Sequence, residues 1–300
     1  MPSLLNWRIE TLPKHLTHKD FMAIVFLGAA PAAAFVLMGA LEVRLALPVA
    51  LAVACSSFAG IVLICYRSLL LSLQLHIDQI ATQGYRESRN SFRQVEALLH
   101  LQKLIQYRHP LPSMRGWPIC PDFAVLLASE IVRRKPEIIV ELGCGTSTLI
   151  SGYCLEKLGR GRVESLDHER TFADICRENL KVHGLEGFAV VHEAPLCDLE
   201  LGGKSWRYYD ISPLRGIPPI DMLVVDGPPG ELGRLARYPA LPLLYERLSE
   251  SAVILVDDAD RADERAMVGM WVVEHPDFEC TFLETEEGAA ILRRRAGRRR

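Results

Sequence analysis

Four short stretches hold the residue types best suited to chemistry. Glu141-Leu142-Gly143-Cys144-Gly145-Thr146-Ser147 sets two glycines between a carboxylate and two hydroxyls, and Asp167 and His168 close an apolar run. Asp226 stands in Val224-Val225-Asp226-Gly227-Pro228-Pro229, and Asp257-Asp258 follow the run Ala252 to Val256. Glycine lacks the Cβ that would keep a ligand off the backbone, so Gly143 and Gly145 read as a turn that approaches a bound molecule closely. Thr146 or Ser147 suits the cap of a helix starting there. The loop is not a nicotinamide-dinucleotide fingerprint, because G-x-G-x-x-G requires a third glycine where Thr148 stands. The aspartates carry a separate signal. If the runs ending at Asp226 and Asp257 are neighbouring parallel strands, three carboxylates meet at one edge. They repel unless a cation binds or one takes up a proton. Oxygen-only ligands suit Mg2+ or Ca2+, which makes Asp226, Asp257 and Asp258 candidate metal ligands. The competing reading makes Asp257 or Asp258 the cap of a helix beginning near Arg261.

The elements that must position these residues alternate from about residue 119. Helices are expected over Asp122–Arg134, Ser147–Leu158, Glu169–Val182 and around Arg234–Leu248. Strands are expected over Glu137–Glu141, Arg162–Leu166, Phe188–His192, Asp221–Val225 and Ala252–Val256. Short, wholly apolar strands between helices imply a parallel sheet covered on both faces. Ligands then bind beyond the carboxyl ends of the strands, near the point where strand order reverses. Glu279–Leu283 and Ala289–Arg293, on either side of Glu286-Glu287-Gly288, read as a terminal β-hairpin.

With these motifs in this order, residues 119–295 resemble the class I methyltransferases. The resemblance implies a doubly wound α/β fold, a mostly parallel seven-stranded sheet with an antiparallel terminal strand, and S-adenosylmethionine as cofactor. It places Glu141, Gly143, Cys144, Gly145, Thr146 and Ser147 in the first donor-binding motif. Asp167 falls against the ribose hydroxyls with His168 beside it, and Ala194, Pro195 and Leu196 line the adenine pocket. Asp226 falls beside the methyl-donor position, as donor contact and candidate catalytic residue. Catechol-type O-methyltransferases are similar in setting acidic ligands at the same two strand ends around a divalent ion, which would be Mg2+ at Asp226, Asp257 and Asp258. The sequence departs from them at Pro229, where their lysine base stands. Without a metal, Asp226 would contact the donor alone. Asp167 also suits a helix cap, and Cys144 reads as a small filler between glycines. His183 and His192 read as surface or strand-end residues. Trp206, Tyr208 and Tyr209 fit either loop packing or an acceptor pocket.

The remainder of the chain is of another kind. Hydrophobic residues make up 49% of 300 and mean hydropathy is +0.13, high for a chain with 24% charged residues. The excess lies in 21–66, where Phe21–Leu41 and Leu45–Cys65 each run 21 residues without a charge. About 20 apolar residues span the hydrocarbon core as a helix, so the two runs read as a transmembrane hairpin turning at Glu42-Val43-Arg44. Arg8, Lys14, Lys19 and Arg67 flank it against one arginine in the turn, which leaves both ends cytoplasmic. A signal peptide fits poorly, because a second span follows at once. The expected organisation is a cytoplasmic segment 1–20, the hairpin 21–66, a helical linker 67–109 with a break at Gly84, a methyltransferase-like domain 110–295 and a basic tail 296–300. Leu69, Leu73, Ile77, Ile80, Phe92, Val95 and Leu99 give the linker an apolar face for packing or self-association. The eight cysteines form no C-x-x-C pair and read as reduced thiols. A net charge of −3 gives no reason to expect a nucleic-acid partner.

The expectation is therefore a multi-pass cell-membrane enzyme with a cytoplasmic catalytic domain. It transfers methyl to an oxygen of a small-molecule or lipid-linked acceptor. The alternative is a catalytically inactive methyltransferase-like module serving as a membrane scaffold or sensor.

Overall fold

In the computed structural model, residues 18–38 and 43–295 are described. Residues 39–42, which include Glu42 of the expected turn, the segment 1–17 and the tail 296–300 lie outside them, and Val43 and Arg44 of that turn begin the second helix. The chain divides into two compact units between Arg89 and Asn90.

In the first unit α1 (His18–Met38) lies against the start of α2 (Val43–Leu104). A Cβ on Gly60 would meet Leu27 at 3.0 Å, so the missing side chain lets the helices close up. Leu27 also shares a groove with Pro48, Val49, Ala52, Val53 and Ser56. Apolar side chains face outward: Phe26, Leu51, Phe58 and Leu63 are all exposed. Among the described residues one helix is long and apolar enough to cross a membrane, within Pro48–Leu104. The break expected at Gly84 is absent, and α2 runs unbroken for 62 residues. A glycine in a helix interior costs only about 1 kcal/mol against alanine, which the long helical run around it outweighs.

In the second unit the last turns of α2 belong to the α/β core and not to a linker. Leu101 and Ile105 are buried among Phe123, Leu127 and Tyr153. Gln94 also donates to Asp122 Oδ2 at 2.8 Å and accepts from the Asp122 backbone N–H at 3.1 Å. The chain continues through α3 (Pro121–Arg134), β1 (Ile138–Leu142), α4 (Thr146–Leu158), β2 (Arg162–Asp167), α5 (Arg170–Val182) and β3 (Ala189–Glu193). A hairpin of β4 (Leu196–Leu201) and β5 (Lys204–Tyr209) comes next. It leads into β6 (Ile220–Val225), α6 (Ala240–Leu244), β7 (Leu248–Asp257), α7 (Ala262–Glu274), β8 (Phe278–Leu283) and β9 (Ala289–Arg294).

Seven strands form one sheet in the order β3-β2-β1-β6-β7-β9-β8. The first five are parallel, and β9 runs antiparallel between β7 and β8. Alternate residues of a strand point to opposite faces, and here each face has its own core. Val253 and Leu255 join Phe123, Leu149 and Val163 on one side; Ile254 and Val256 join Leu142, Trp271 and Phe278 on the other. Leu142 stands level with Leu166 and with Val225, and Val225 with Val256. The residues after each strand therefore emerge side by side, and the sheet's order reverses between β1 and β6.

Two expectations about the elements need correction. The helix expected around Arg234–Leu248 is the five-residue α6 flanked by 3-10 turns. Pro239 and Pro242 remove the backbone donors a longer helix would need, while Ala240, Leu241 and Leu244 still fill the core. The segment after β3 is no loop but the β4–β5 hairpin. Its turn is Gly202-Gly203, both in the left-handed region, with φ of 60° and 74°. A two-residue hairpin turn asks for such residues.

Candidate active site

The glycine loop grows directly out of β1. Gly143 has φ of 98°, where a side chain is strained, and an added Cβ would meet the backbone C and O of Asp226 at 3.3 Å. Its N–H donates to Leu166 O at 2.9 Å. The loop is thus held between β2 and the end of β6, and only glycine fits that gap. Gly145 then starts α4, and a Cβ there would meet nothing within 4 Å.

The expected cap by Thr146 or Ser147 does not form; both are buried in the first turn of α4. Thr148 does that work. Its hydroxyl accepts the Gly145 N–H at 3.0 Å and donates to the Glu141 carboxylate, which also accepts from Ser165 Oγ at 2.7 Å. Glu141 is fully buried, and that burial raises its carboxyl above the usual range. It therefore braces the loop from behind. The residue that breaks the dinucleotide fingerprint is the one that ties this loop down.

Asp167 stands on the other side of the loop, almost fully buried. Its Oδ2 accepts the Cys144 N–H at 3.1 Å and its Oδ1 accepts the Glu169 N–H at 2.9 Å. It thereby turns the chain into α5 and also fixes the glycine loop. Its own backbone O accepts the Ala194 N–H at 2.7 Å, which brings Ala194 and Pro195 up beside it. His168 meets the Tyr209 ring edge-on, with centroids 5.9 Å apart. The Tyr209 hydroxyl lies against Gly227, where a Cβ could not fit. Leu196 leaves as the first residue of β4. Cys176 beside it and burial both push the Cys144 thiol upward, which suits a filler and not a nucleophile.

At the ends of β6 and β7 the expected carboxylates do come together, but around an arginine. Arg237 is 4% exposed. Its Nη2 lies 2.9 Å from Asp258 Oδ2 and 3.6 Å from Asp226 Oδ1, and its Nε lies 3.9 Å from Glu264 Oε1. It also donates to Pro228 O and Asp257 O, both at 3.3 Å. Arg261 Nη1 reaches the same Asp258 Oδ2 at 2.8 Å. Asp257 Oδ1 is taken by the Asp258 N–H at 2.9 Å.

The donor set therefore does not fit a hard cation. The one oxygen of Asp258 that faces the cluster is shared by two guanidinium groups, and Mg2+ demands near-octahedral oxygen at 2.0–2.1 Å. Among the described residues no group of three His, Cys, Asp or Glu side chains could hold a metal. The metal expectation at Asp226, Asp257 and Asp258 is corrected accordingly: Arg237 supplies the positive charge they require. Nor does Asp258 cap α7 with its side chain, since the cap position is Arg261.

The titration of the cluster follows from its burial. Asp226 is pushed up to about 7 by burial, with Asp258 and Glu141 adding to the rise and Arg237 opposing it. Burial and the charges of Asp226 and Asp258 push Asp257 well above the ordinary carboxylate range. Asp226 keeps 17% of its side chain exposed, where Asp258 keeps 10%.

A parallel sheet that reverses order at β1 and β6, with glycine loop, acids and adenine-side segment on one edge and an antiparallel last strand, has the class I methyltransferase architecture. Residues 140–259 match the family model described as a methyltransferase domain. Over those residues the α/β unit is similar to a methyltransferase domain, and its sheet has the fold of the S-adenosylmethionine-dependent class.

Among solved structures, a Podospora anserina methyltransferase with bound SAH is 16% identical, with a TM-score of 0.50 over 70% of this chain and 96% of that one. A putative O-methyltransferase from Klebsiella pneumoniae is 17% identical, at a TM-score of 0.47 over 68% and 90%. An O-methyltransferase of tomaymycin synthesis from Streptomyces achromogenes, in complex with SAM, is 19% identical, at 0.46 over 66% and 90%. At such identity the likeness is one of fold.

Proposed function

We propose that the chain is a membrane-anchored S-adenosylmethionine-dependent methyltransferase that acts on an acceptor oxygen, with Asp226 as the group that takes the acceptor's proton. The observation that carries this reading is the placement of Asp226. It follows β6, directly against the Gly143 turn, is partly open, and is pushed up to about 7 by burial. A base is most effective when its pKa lies near the working pH, and burial moves Asp226 toward that range. No lysine stands at position 229 to compete for the role.

The donor would rest on the Gly143–Gly145 backbone, with Asp167 and His168 toward its ribose and Ala194, Pro195 and Leu196 toward its adenine. Bound S-adenosylmethionine would supply an electrophilic methyl group on a sulfonium. The protein's contribution is to hold the acceptor hydroxyl in line and to accept its proton on an Asp226 oxygen. Positioning alone can contribute about 7–11 kcal/mol.

The exposed apolar faces of α1 and early α2, and their close approach at Gly60, support a membrane hairpin over 21–66 with both ends cytoplasmic. The domain organisation 67–109, 110–295 and 296–300 is carried on that reading, with residues 90–109 reassigned to the catalytic unit. An acceptor that is small or lipid-linked fits the setting. Methyl-labelled donor incubated with membrane extract and purified full-length protein should label an acceptor, and Asp226→Asn should abolish most of the label. Donor binding without any labelled product would favour the scaffold reading.

A further inference from the structure

Catalytic units with acids at two adjacent strand ends invite a divalent ion, and this one fills that position from its own chain. We infer that Arg237 is the resident cation of the acidic cluster, a positioning residue that sets Asp226 and makes the site independent of a metal. The metal-independence of turnover rests on the methyl-transfer reading above; the placement of the charge does not.

Several observations converge on this residue. Arg237 is buried among Asp226, Asp258 and Glu264, so its charge is spent inside the cluster and not on solvent. Its donors also reach Pro228 O after β6 and Asp257 O at the end of β7, so one planar group clamps both strand ends. Guanidinium suits this task because its five donors lie in a fixed fork and its charge is not lost on burial. Asp258 adopts φ of 61°, a left-handed conformation, in presenting Oδ2 to Arg237 and Arg261 together.

Asp258 meets both guanidinium groups, and Glu264 and Asp226 face Arg237. The cluster is balanced without an ion, and a metal would have to displace a buried guanidinium. Removing Arg237 would leave Asp226, Asp257, Asp258 and Glu264 with only the half-exposed Arg261 beside them, an uncompensated charge that a cation entering the vacated space would relieve.

The test uses full-length protein in detergent, without a metal-binding tag, and Mn2+ as probe, read by electron paramagnetic resonance. Wild type should show no saturable Mn2+ site below about millimolar concentration. Arg237→Met should gain one site per chain, at least tenfold tighter, and a second change, Asp258→Asn, should remove it. Arg237→Lys keeps a cation and should behave as wild type. If Arg237→Met does not fold, the wild-type titration decides: a stoichiometric Mn2+ site abolished by Asp258→Asn overturns the inference. A folded Arg237→Met that takes up no Mn2+ overturns it equally. Labelled-methyl transfer by wild type should persist in excess chelator, and loss restored by Mg2+ would refute the metal-independent site. Absence of any transfer would count against the proposed function alone, leaving the Mn2+ result standing.

Discussion

Thr148→Val is the sharpest probe of how the glycine loop is built. Valine keeps the shape of threonine and removes only the hydroxyl, which both accepts the Gly145 N–H and donates to Glu141. A neutral hydrogen bond contributes about 1 kcal/mol, and one to a charged partner about 1.5–3 kcal/mol. Glu141 is fully buried and would keep the hydroxyls of Ser165 and Ser147 as partners. The expected loss is about 3 kcal/mol. For a domain of 150–250 residues that is a fall in melting temperature of about 6–12 °C. The assay is thermal unfolding of the full chain in detergent, followed by near-ultraviolet circular dichroism, with and without S-adenosylhomocysteine. Thr148→Ser should recover most of the loss because it restores the hydroxyl. A Thr148→Val protein that melts within about 2 °C of wild type and binds the donor product equally would refute the brace.

Three further outcomes follow from the same geometry. Gly143→Val puts a branched side chain at φ of 98° and against the Asp226 backbone, so calorimetry should show donor affinity at least about tenfold weaker, or about 1.4 kcal/mol; unchanged affinity would displace the site. Wild-type turnover should rise with pH through about 7 as Asp226 loses its proton, and Asp226→Asn should cut the rate by about 10²–10⁴ and flatten that limb. An alkaline-phosphatase fusion after Arg67 should be inactive, because that residue is read as cytoplasmic; an active fusion would place the catalytic unit on the far side.

What the sequence made legible was whatever depends on local pattern. Wholly apolar runs such as Ala252 to Val256 announce buried parallel strands, and strand ends fall at fixed places after them. That is why the sequence alone brings Gly143, Asp167, Asp226 and Asp257 to one sheet edge. The Gly202-Gly203 hairpin was equally legible in principle, since paired glycines between alternating Leu196–Leu201 and Lys204–Tyr209 are its signature. The unbroken α2 shows the opposite weakness, a single glycine at 84 given more weight than its cost of about 1 kcal/mol warrants.

Partners across the fold were not legible, and they decide the chemistry. A cluster of aspartates specifies that some positive charge must come, not where it comes from. Asp226, Asp257 and Asp258 demanded a cation or a proton, and motif spacing offered a metal, although Pro229 in place of a lysine already stood against it. Arg237 lies in a segment whose apolar residues and prolines read as core and turn, and nothing local marks it as inward-facing. The same holds for Thr148, conspicuous in the sequence only as a glycine that is missing. A buried charge must be answered inside the protein, so the sequence states the debt and only packing names the residue that settles it. For this site that distinction separates a metal-dependent reading from one in which the chain carries its own guanidinium, and under the proposed function it leaves Asp226, raised by burial beside Arg237 and two other carboxylates, as the group that would take the acceptor's proton.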